Sequence, residues 1–115
     1  MPDAAQNRIL SGMTMCRRAG KLVLGFDAVK DAAQQRTLYG ILLAADCAAR
    51  TEKEIRFHCP QLSCERLPFS MEALTAYFTK RTAVFGVTDE GFARSLRNAL
   101  QSCSEDDACE VTNDV

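Results

Sequence analysis

Short apolar runs alternate with helical patterns along this chain, and that alternation limits the folds open to it. Residues 41–45 and 83–87 are nearly continuous apolar runs, which are typical of strands buried on both faces. Residues 22–24 and 65–67 form two further, shorter strand patterns. Because helical periodicity occupies the segments between these runs, the sequence predicts four short strands separated by helices.

Capping residues mark the boundaries of the predicted helices. Asp27, Ser70 and Asp89 each open a helical pattern, and residues 51–54 spell the capping box Thr-Glu-Lys-Glu. Gly20 ends the first helix, and Pro60 stops the third one near its preceding residue. Each of the five predicted helices has an apolar face that should turn inward. In chain order these faces are Ile9, Leu10, Met13 and Cys16; Val29, Ala32 and Ala33; Ile55, Cys59 and Leu62; Met71, Leu74 and Phe78; and Phe92, Leu96, Ala99, Leu100 and Cys103. In the third helix His58 is an alternative to Cys59.

Five helices interleaved with four strands predict an α/β fold on so short a chain. The expected architecture is a three-layer α/β/α sandwich with a small four-stranded central sheet. At 115 residues the chain has room for one domain, which we place at residues 1–102. Residues 103–115 are acidic and poor in aromatic residues, so we predict a disordered tail there.

The net charge of −1 hides an asymmetry between the body and the tail. Five acidic residues and no basic residue lie from Glu105 onward. Residues 1–102 therefore hold 14 basic residues against 10 acidic ones, a net charge of about +4. A mildly basic body fits a nucleic-acid-binding domain, and the acidic tail is expected to compete with phosphate for its basic surface.

The cysteines do not form a recognised motif. None of the six lies in a Cys-x-x-Cys pair, and we expect all of them to be reduced. Cys47, His58, Cys59 and Cys64 are four conceivable zinc ligands, but their spacing matches no known zinc site. We therefore predict no metal site, and we interpret Cys16, Cys47 and Cys59 as small apolar residues of the core.

Several functional classes lack their motifs in this sequence. There is no nucleophile elbow, no GxGxxG fingerprint and no GxxxxGK(S/T) phosphate loop. We therefore predict that the protein is not an enzyme and binds no cofactor. No apolar run reaches the roughly 18 residues needed to span a bilayer, and the N-terminus shows no signal pattern. We accordingly expect a cytoplasmic protein that has no membrane partner. The sequence does not determine the oligomeric state, and we take a monomer as the expectation.

The segment RRAGKLVLGFDAVK at residues 17–30 is the most informative motif. It is a basic helix end followed by a short strand and by a turn at Gly25 into the next helix. A helix start presents unpaired backbone N–H groups and a positive dipole end, which suit phosphates or polar base edges. The same segment also fits an ordinary strand-to-helix turn. A second basic segment, residues 80–83, precedes another strand, and short strands allow both loops to share one patch.

Three segments carry a resemblance to a known family: RRAGKLVLGFDAVKDA, YGILLAADCAARTEKEI and RTAVFGVTDEGFARSL. Together they resemble a bacterial member of the kink-turn RNA-binding ribosomal-protein superfamily, which is the L-seven-Ae, L-thirty-e and S-twelve-e group. The similarity extends from about Ile9 to Leu100. It implies a ribosomal L-thirty-e-like sandwich, in agreement with the alternating pattern, and it implies RNA binding within a ribonucleoprotein.

The resemblance also assigns roles to residues at the start of the second helix. RNA-binding relatives carry a GxNExxK-like segment there, whose Asn and Glu meet sheared G·A pairs and whose Lys adds a basic contact. In this chain Gly25 matches the glycine, and Asp27, Ala28 and Asp31 take the Asn, Glu and Lys positions. Asp27 keeps a hydrogen-bond acceptor, Ala28 has none and Asp31 repels phosphate. Lys30 lies one residue away from the Lys position, about 100° around the helix.

Two further matches extend the implied RNA contact. Lys21 corresponds to a basic residue that is common in the family, and residues 81–84 correspond to the loop that packs on a flipped-out nucleotide. Phe26 has two interpretations, a base-stacking aromatic at the turn or a hydrophobic staple for the second helix. The predicted RNA-binding residues are Arg17, Arg18, Lys21, Gly25, Phe26, Asp27, Lys30, Lys80, Arg81, Thr82 and Ala83.

We therefore predict a non-catalytic RNA-binding protein of ribosomal-protein type. It would recognise structured, kink-turn-like RNA by its shape and by the bases exposed at an internal loop. The expected partner is therefore a structured RNA, and ribosomal RNA is one candidate. The alternative is a protein–protein adaptor that has lost kink-turn specificity and whose acidic tail contacts a basic partner.

Overall fold

The chain forms a four-stranded sheet covered by helices on both faces, and the predicted α/β sandwich is confirmed. The structure is a computed structural model that describes residues 4–78 and 80–101. Its elements are α1 (Ala4–Arg18), β1 (Leu22–Leu24), α2 (Phe26–Gln34), β2 (Gly40–Leu43), α3 (Ala49–His58), β3 (Cys64–Arg66), α4 (Met71–Phe78), β4 (Val84–Val87) and α5 (residues 90–101). The predicted acidic tail and Cys103 lie outside the described residues.

The strand order of the sheet, β1-β4-β2-β3, places functionally interesting loops together. Strand β4 is antiparallel to both β1 and β2, and β2 is parallel to β3. Leu24 is paired with Phe85, and Leu43 is paired with Val84. One end of the sheet, which we call the loop end, therefore contains the ends of β1, β2 and β3 and the start of β4. The opposite end is called the far end.

The core consists of two apolar layers, one on each face of the sheet. Helices α1, α4 and α5 cover one face, and α2 and α3 cover the other. All four residues of β2 and all four of β4 are buried, as expected for central strands. The aromatic rings of Phe78 and Phe85 pack with their centroids 5.5 Å apart. The inward helix faces predicted from periodicity are buried or packed against these layers within the described residues.

Two of the predicted caps are confirmed, and both belong to helices on the α1 side of the sheet. The Ala73 N–H donates to Ser70 Oγ at 3.1 Å at the start of α4. The Phe92 N–H donates to Asp89 Oδ2 at 2.9 Å at the start of α5. No helix in the described ranges is both long and apolar enough to cross a bilayer.

The predicted cap at Asp27 is wrong. The N-cap of α2 is Gly25, and no side chain bonds to the helix start. Helix α2 begins at Phe26 because the glycine turns the chain directly out of β1. Asp27 therefore lies in the first turn, where its carboxylate interacts favourably with the helix dipole.

The capping box at residues 51–54 is also wrong. Helix α3 begins at Ala49, so Thr51 lies inside its first turn. Glu54 does not reach back to the helix start, because its carboxylate accepts a hydrogen bond from Arg50 Nε at 3.2 Å. The predicted end near Pro60 is confirmed, since α3 ends at His58. Of the two alternatives for its inward face, Cys59 is buried and His58 is exposed.

Candidate nucleic-acid interface

Three loops are joined by backbone hydrogen bonds at the loop end of the sheet. The Gly25 N–H donates to the Val84 carbonyl at 2.9 Å, and the Ala44 N–H donates to the Ala83 carbonyl at 2.9 Å. The β1–α2 turn (residues 25–27), the α4–β4 loop (residues 80–83) and the β2–α3 loop (residues 44–48) therefore lie side by side. We call these three segments the loop surface.

Gly25 shapes the first of these segments through an unusual backbone conformation. Its φ of 102° and ψ of 151° belong to a region that is essentially restricted to glycine. This conformation turns the chain sharply and starts α2 without a side-chain cap. The first turn of α2 therefore presents backbone N–H groups and a positive dipole end toward the loop surface. Asp27 is exposed in this turn, and Lys30 follows in a half-buried position.

The α4–β4 loop supplies the positive charge beside that helix start. Lys80 and Arg81 are exposed. Thr82 is only 3% exposed, and its hydroxyl donates to the Lys80 carbonyl at 3.0 Å. Thr82 therefore supports the loop from inside instead of offering its side chain to a ligand. Ala83 is half-buried and packs against the core layer under α2 and α3.

Arg17 and Arg18 lie on the other side of the α4–β4 loop. Arg17 Nη1 donates to the Phe78 carbonyl at 3.1 Å, and its guanidinium lies 5.9 Å from the centre of the Phe78 ring. These contacts fix the arginine beside the last turn of α4 and favour its charge there. Arg18 is exposed and lines a groove between α1 and α4 together with Tyr77 and Thr14.

The structure separates Lys21 from the loop surface and keeps it at the end of α1, where its N–H donates to the Cys16 carbonyl at 2.9 Å. Its carbonyl oxygen accepts hydrogen bonds from the Thr88 N–H at 2.9 Å and from Thr88 Oγ1 at 3.2 Å, which places it at the far end of the sheet. The three residues of β1 lie between Lys21 and Gly25, so four residue steps of extended chain, about 13 Å, separate the two. The backbone of Lys21 therefore lies outside the loop surface.

Phe26 packs instead of projecting from the turn. Its ring is half-buried against the α2–α3 core layer and meets the ring of His58 edge to face, with 6.2 Å between centroids. This arrangement agrees with the hydrophobic interpretation of Phe26. Sequence reasoning missed the neighbouring aromatic residues of α3, because no periodicity of the chain indicates that the end of α3 meets the start of α2.

An ion-pair network holds the β2–α3 loop. Arg66 Nη1 donates to the Ala45 carbonyl at 2.7 Å, while Arg66 Nη2 donates to Glu52. Arg56 Nε donates to the other oxygen of Glu52 at 2.9 Å. Hydrogen bonds from the two arginines hold the pKa of Glu52 below its ordinary value. Asp46 Oδ1 accepts from the Met71 N–H at 2.9 Å, which anchors the same loop to α4.

The thiols of the described residues are shielded. Cys16, Cys47, Cys59 and Cys64 are free cysteines. Burial, with a smaller contribution from the charge of Asp89, raises the pKa of Cys16 to about 11. Burial also raises the pKa of the other three thiols. Such thiols stay protonated at neutral pH, unlike an activated nucleophile. In the described part of the chain, no three metal-binding side chains of the His, Cys, Asp or Glu type converge.

Two solved structures are similar to this fold. A protein of unknown function from Bacillus halodurans is 26% identical with a TM-score of 0.75, over 82% of this chain and 97% of that one. The 15.5-kDa RNA-binding protein of Giardia lamblia is 12% identical with a TM-score of 0.64, over 89% of each chain. No protein-family model and no curated protein matches the sequence. The comparisons therefore show a distant relationship in fold to an RNA-binding protein.

Proposed function

We propose that this protein binds structured RNA through the loop surface. The observation that carries the proposal is the hydrogen bond from Gly25 to Val84, because it places an uncapped helix start directly beside the basic α4–β4 loop. Arg17 and Arg18 extend the positive surface past the end of α4. The fold shared with the Giardia RNA-binding protein supports this assignment.

Each part of the surface suits a different part of an RNA. The exposed cations at positions 17, 18, 80 and 81 favour phosphates, and the backbone N–H groups of the first turn of α2 favour phosphates or base acceptors. The exposed carboxylate of Asp27 can accept hydrogen bonds from a base edge. These groups suit an internal loop of RNA, where bases are accessible for contact.

Kink-turn specificity is expected to be weak. Ala28 and Asp31 are both exposed on α2, at the positions where the family resemblance implies a Glu and a Lys. Ala28 offers no hydrogen-bond acceptor, and the charge of Asp31 opposes phosphate. We therefore infer binding by shape and charge, with ribosomal RNA as one suitable target. We also propose that the protein acts in the cytoplasm as a monomer, without catalysis.

Fluorescence anisotropy tests this function with two labelled RNA duplexes. One carries a three-nucleotide bulge followed by tandem sheared G·A pairs, and the other replaces those pairs with Watson–Crick pairs. Binding to the bulged RNA at 50 mM salt supports the proposal. If four cations contact phosphates, the logarithm of affinity should fall with the logarithm of salt with a slope of about −3 to −4. No binding to either RNA at low salt contradicts the proposal.

A further inference from the structure

Phe57 is an exposed aromatic residue that the ring of His58 connects to the start of α2. It lies in the last turn of α3 and is 79% exposed, although water disfavours such an apolar ring. Its ring meets His58 edge to face at 5.5 Å between centroids, and His58 meets Phe26 in the same way at 6.2 Å. A row of three rings therefore leads from the first residue of α2 to the outer surface of α3.

The charges around Phe57 indicate what kind of molecule covers it. Lys53 lies one helical turn before Phe57 on the same face and is exposed. Among the described residues, no carboxylate pairs with Lys53 or with Lys30 of the neighbouring helix, whereas Arg50 is paired with Glu54. An aromatic ring one helical turn from an unpaired lysine is complementary to a nucleic-acid strand, whose bases stack and whose phosphates are negative.

We propose that Phe57 is a stacking platform for an unpaired nucleobase of the RNA held at the loop surface. This inference rests on the proposed function and extends its interface from the start of α2 onto α3. Lys53 lies where it can attract the phosphate of the stacked nucleotide. Because every base has a flat π-face, the contact adds affinity with little sequence preference.

Four protein variants separate this role from general effects. Phe57→Ala removes the ring, and Phe57→Tyr keeps it. Tyr39→Ala is the matched control, because Tyr39 is also an exposed aromatic residue, at 47%, but lies at the far end of the sheet beside Val87. The fourth variant, Lys53→Gln, removes the neighbouring charge. The three substituted positions, 57, 39 and 53, are all exposed, so folding should be preserved.

The probes are bulged G·A duplexes extended by four unpaired adenosines at the 3′ or the 5′ end. Each of these RNAs is compared with two controls. In one control the four adenosines are replaced by four abasic nucleotides, and the other control is the blunt duplex without an extension. We expect the adenosine extension at one of the two ends, 3′ or 5′, to be bound at least about fivefold more tightly than its abasic counterpart. This preference should be present in the parent protein, in Phe57→Tyr and in Tyr39→Ala. Phe57→Ala should lose that preference but keep its affinity for the blunt RNA. Lys53→Gln should weaken binding to the adenosine-extended RNA and to its abasic counterpart, because both keep the phosphates of the extension.

Other outcomes separate the two proposals. If Phe57→Ala binds every RNA as the parent does, the stacking role is overturned and the proposed function stands. If the parent binds none of the RNAs, both proposals are contradicted. Sedimentation of the parent and of Phe57→Ala without RNA measures their oligomeric state and tests whether the ring contacts a second copy of the chain. If Phe57→Ala converts a parental dimer into a monomer and leaves RNA binding unchanged, the ring contacts a second copy of the chain and stacking is overturned.

Discussion

The Gly25 N–H and the Val84 carbonyl form a 2.9 Å hydrogen bond that joins the start of α2 to the start of β4. This bond brings two loops together that are nearly sixty residues apart in the sequence. The basic residues of one loop thereby come next to the helix start of the other. The proposed RNA surface depends on this junction, and the junction depends on the backbone conformation of Gly25.

Replacing Gly25 should therefore damage both stability and RNA binding. Gly25→Ala places a Cβ in open space, so the cost comes from the backbone angles alone. We expect a loss of about 1–3 kcal/mol in the free energy of unfolding, measured with urea, and weaker RNA binding. Gly40→Ala is the control, because its new Cβ would meet Ala93 Cβ at an ordinary 3.7 Å. Equal losses in both variants would show that the conformation of Gly25 is unimportant.

Charge removal at the α4–β4 loop should change the salt dependence of RNA binding. The double substitution Lys80→Gln with Arg81→Gln should make the log–log salt slope shallower by about 2, because two phosphate contacts are lost. Lys21→Gln removes one charge at the far end and should leave the slope unchanged. Titrations at several salt concentrations measure both effects. A larger effect of Lys21→Gln would place the RNA at the other end of the sheet.

Restoring the family residues on α2 should create kink-turn selectivity. The double substitution Ala28→Glu with Asp31→Lys supplies an acceptor and a cation at two exposed positions. A hydrogen bond to a charged group contributes about 1.5–3 kcal/mol, so binding to the G·A RNA should tighten at least about tenfold. The Watson–Crick RNA should gain little.

The matched control for this gain is Gln34→Lys, in the last turn of α2. It changes the net charge by the same +1 and lies away from the loop surface. If it tightens binding to the G·A RNA as much as the double substitution does, the gain comes from net charge and not from contacts at positions 28 and 31.

The Glu52 network should stabilise the protein only above acidic pH. The arginine hydrogen bonds lower the pKa of Glu52 from an ordinary 4.5, so its contribution is present above that value and is lost as pH falls through the lowered pKa. Glu52→Gln should therefore melt at a lower temperature than the parent at pH 7, and the difference should close in acid. Glu90→Gln is the control, since its 3.8 Å pair with Arg94 is largely exposed. A difference that does not change with pH would contradict this account.

Much of the fold was predictable from the sequence because burial imposes a period on each element. The runs at β2 and β4 and the inward residues Ile9, Met13 and Leu96 were assigned correctly for this reason. The starts of α2 and α3 were not, because Gly25 takes the N-cap position of α2 and α3 begins at Ala49, two residues before Thr51.

The candidate site was less predictable, because it depends on which loops meet in space. The sequence placed Lys21 near Gly25 along the chain, but the strand between them separates the two residues. Likewise, the contact between Phe26 and His58 arises from the packing of α2 on α3. No local pattern encodes such contacts, so Phe57 could not be connected to the RNA surface from the sequence.

An NMR titration with the bulged G·A RNA tests the central claim most directly. At 50 mM salt, amide signals should shift for Gly25, Asp27 and Arg81 at the loop surface. The signals of Lys21, Tyr39 and Thr88 at the far end should stay in place and serve as the internal control. Shifts confined to the far end, or no shifts at all, would contradict RNA binding at the loop surface.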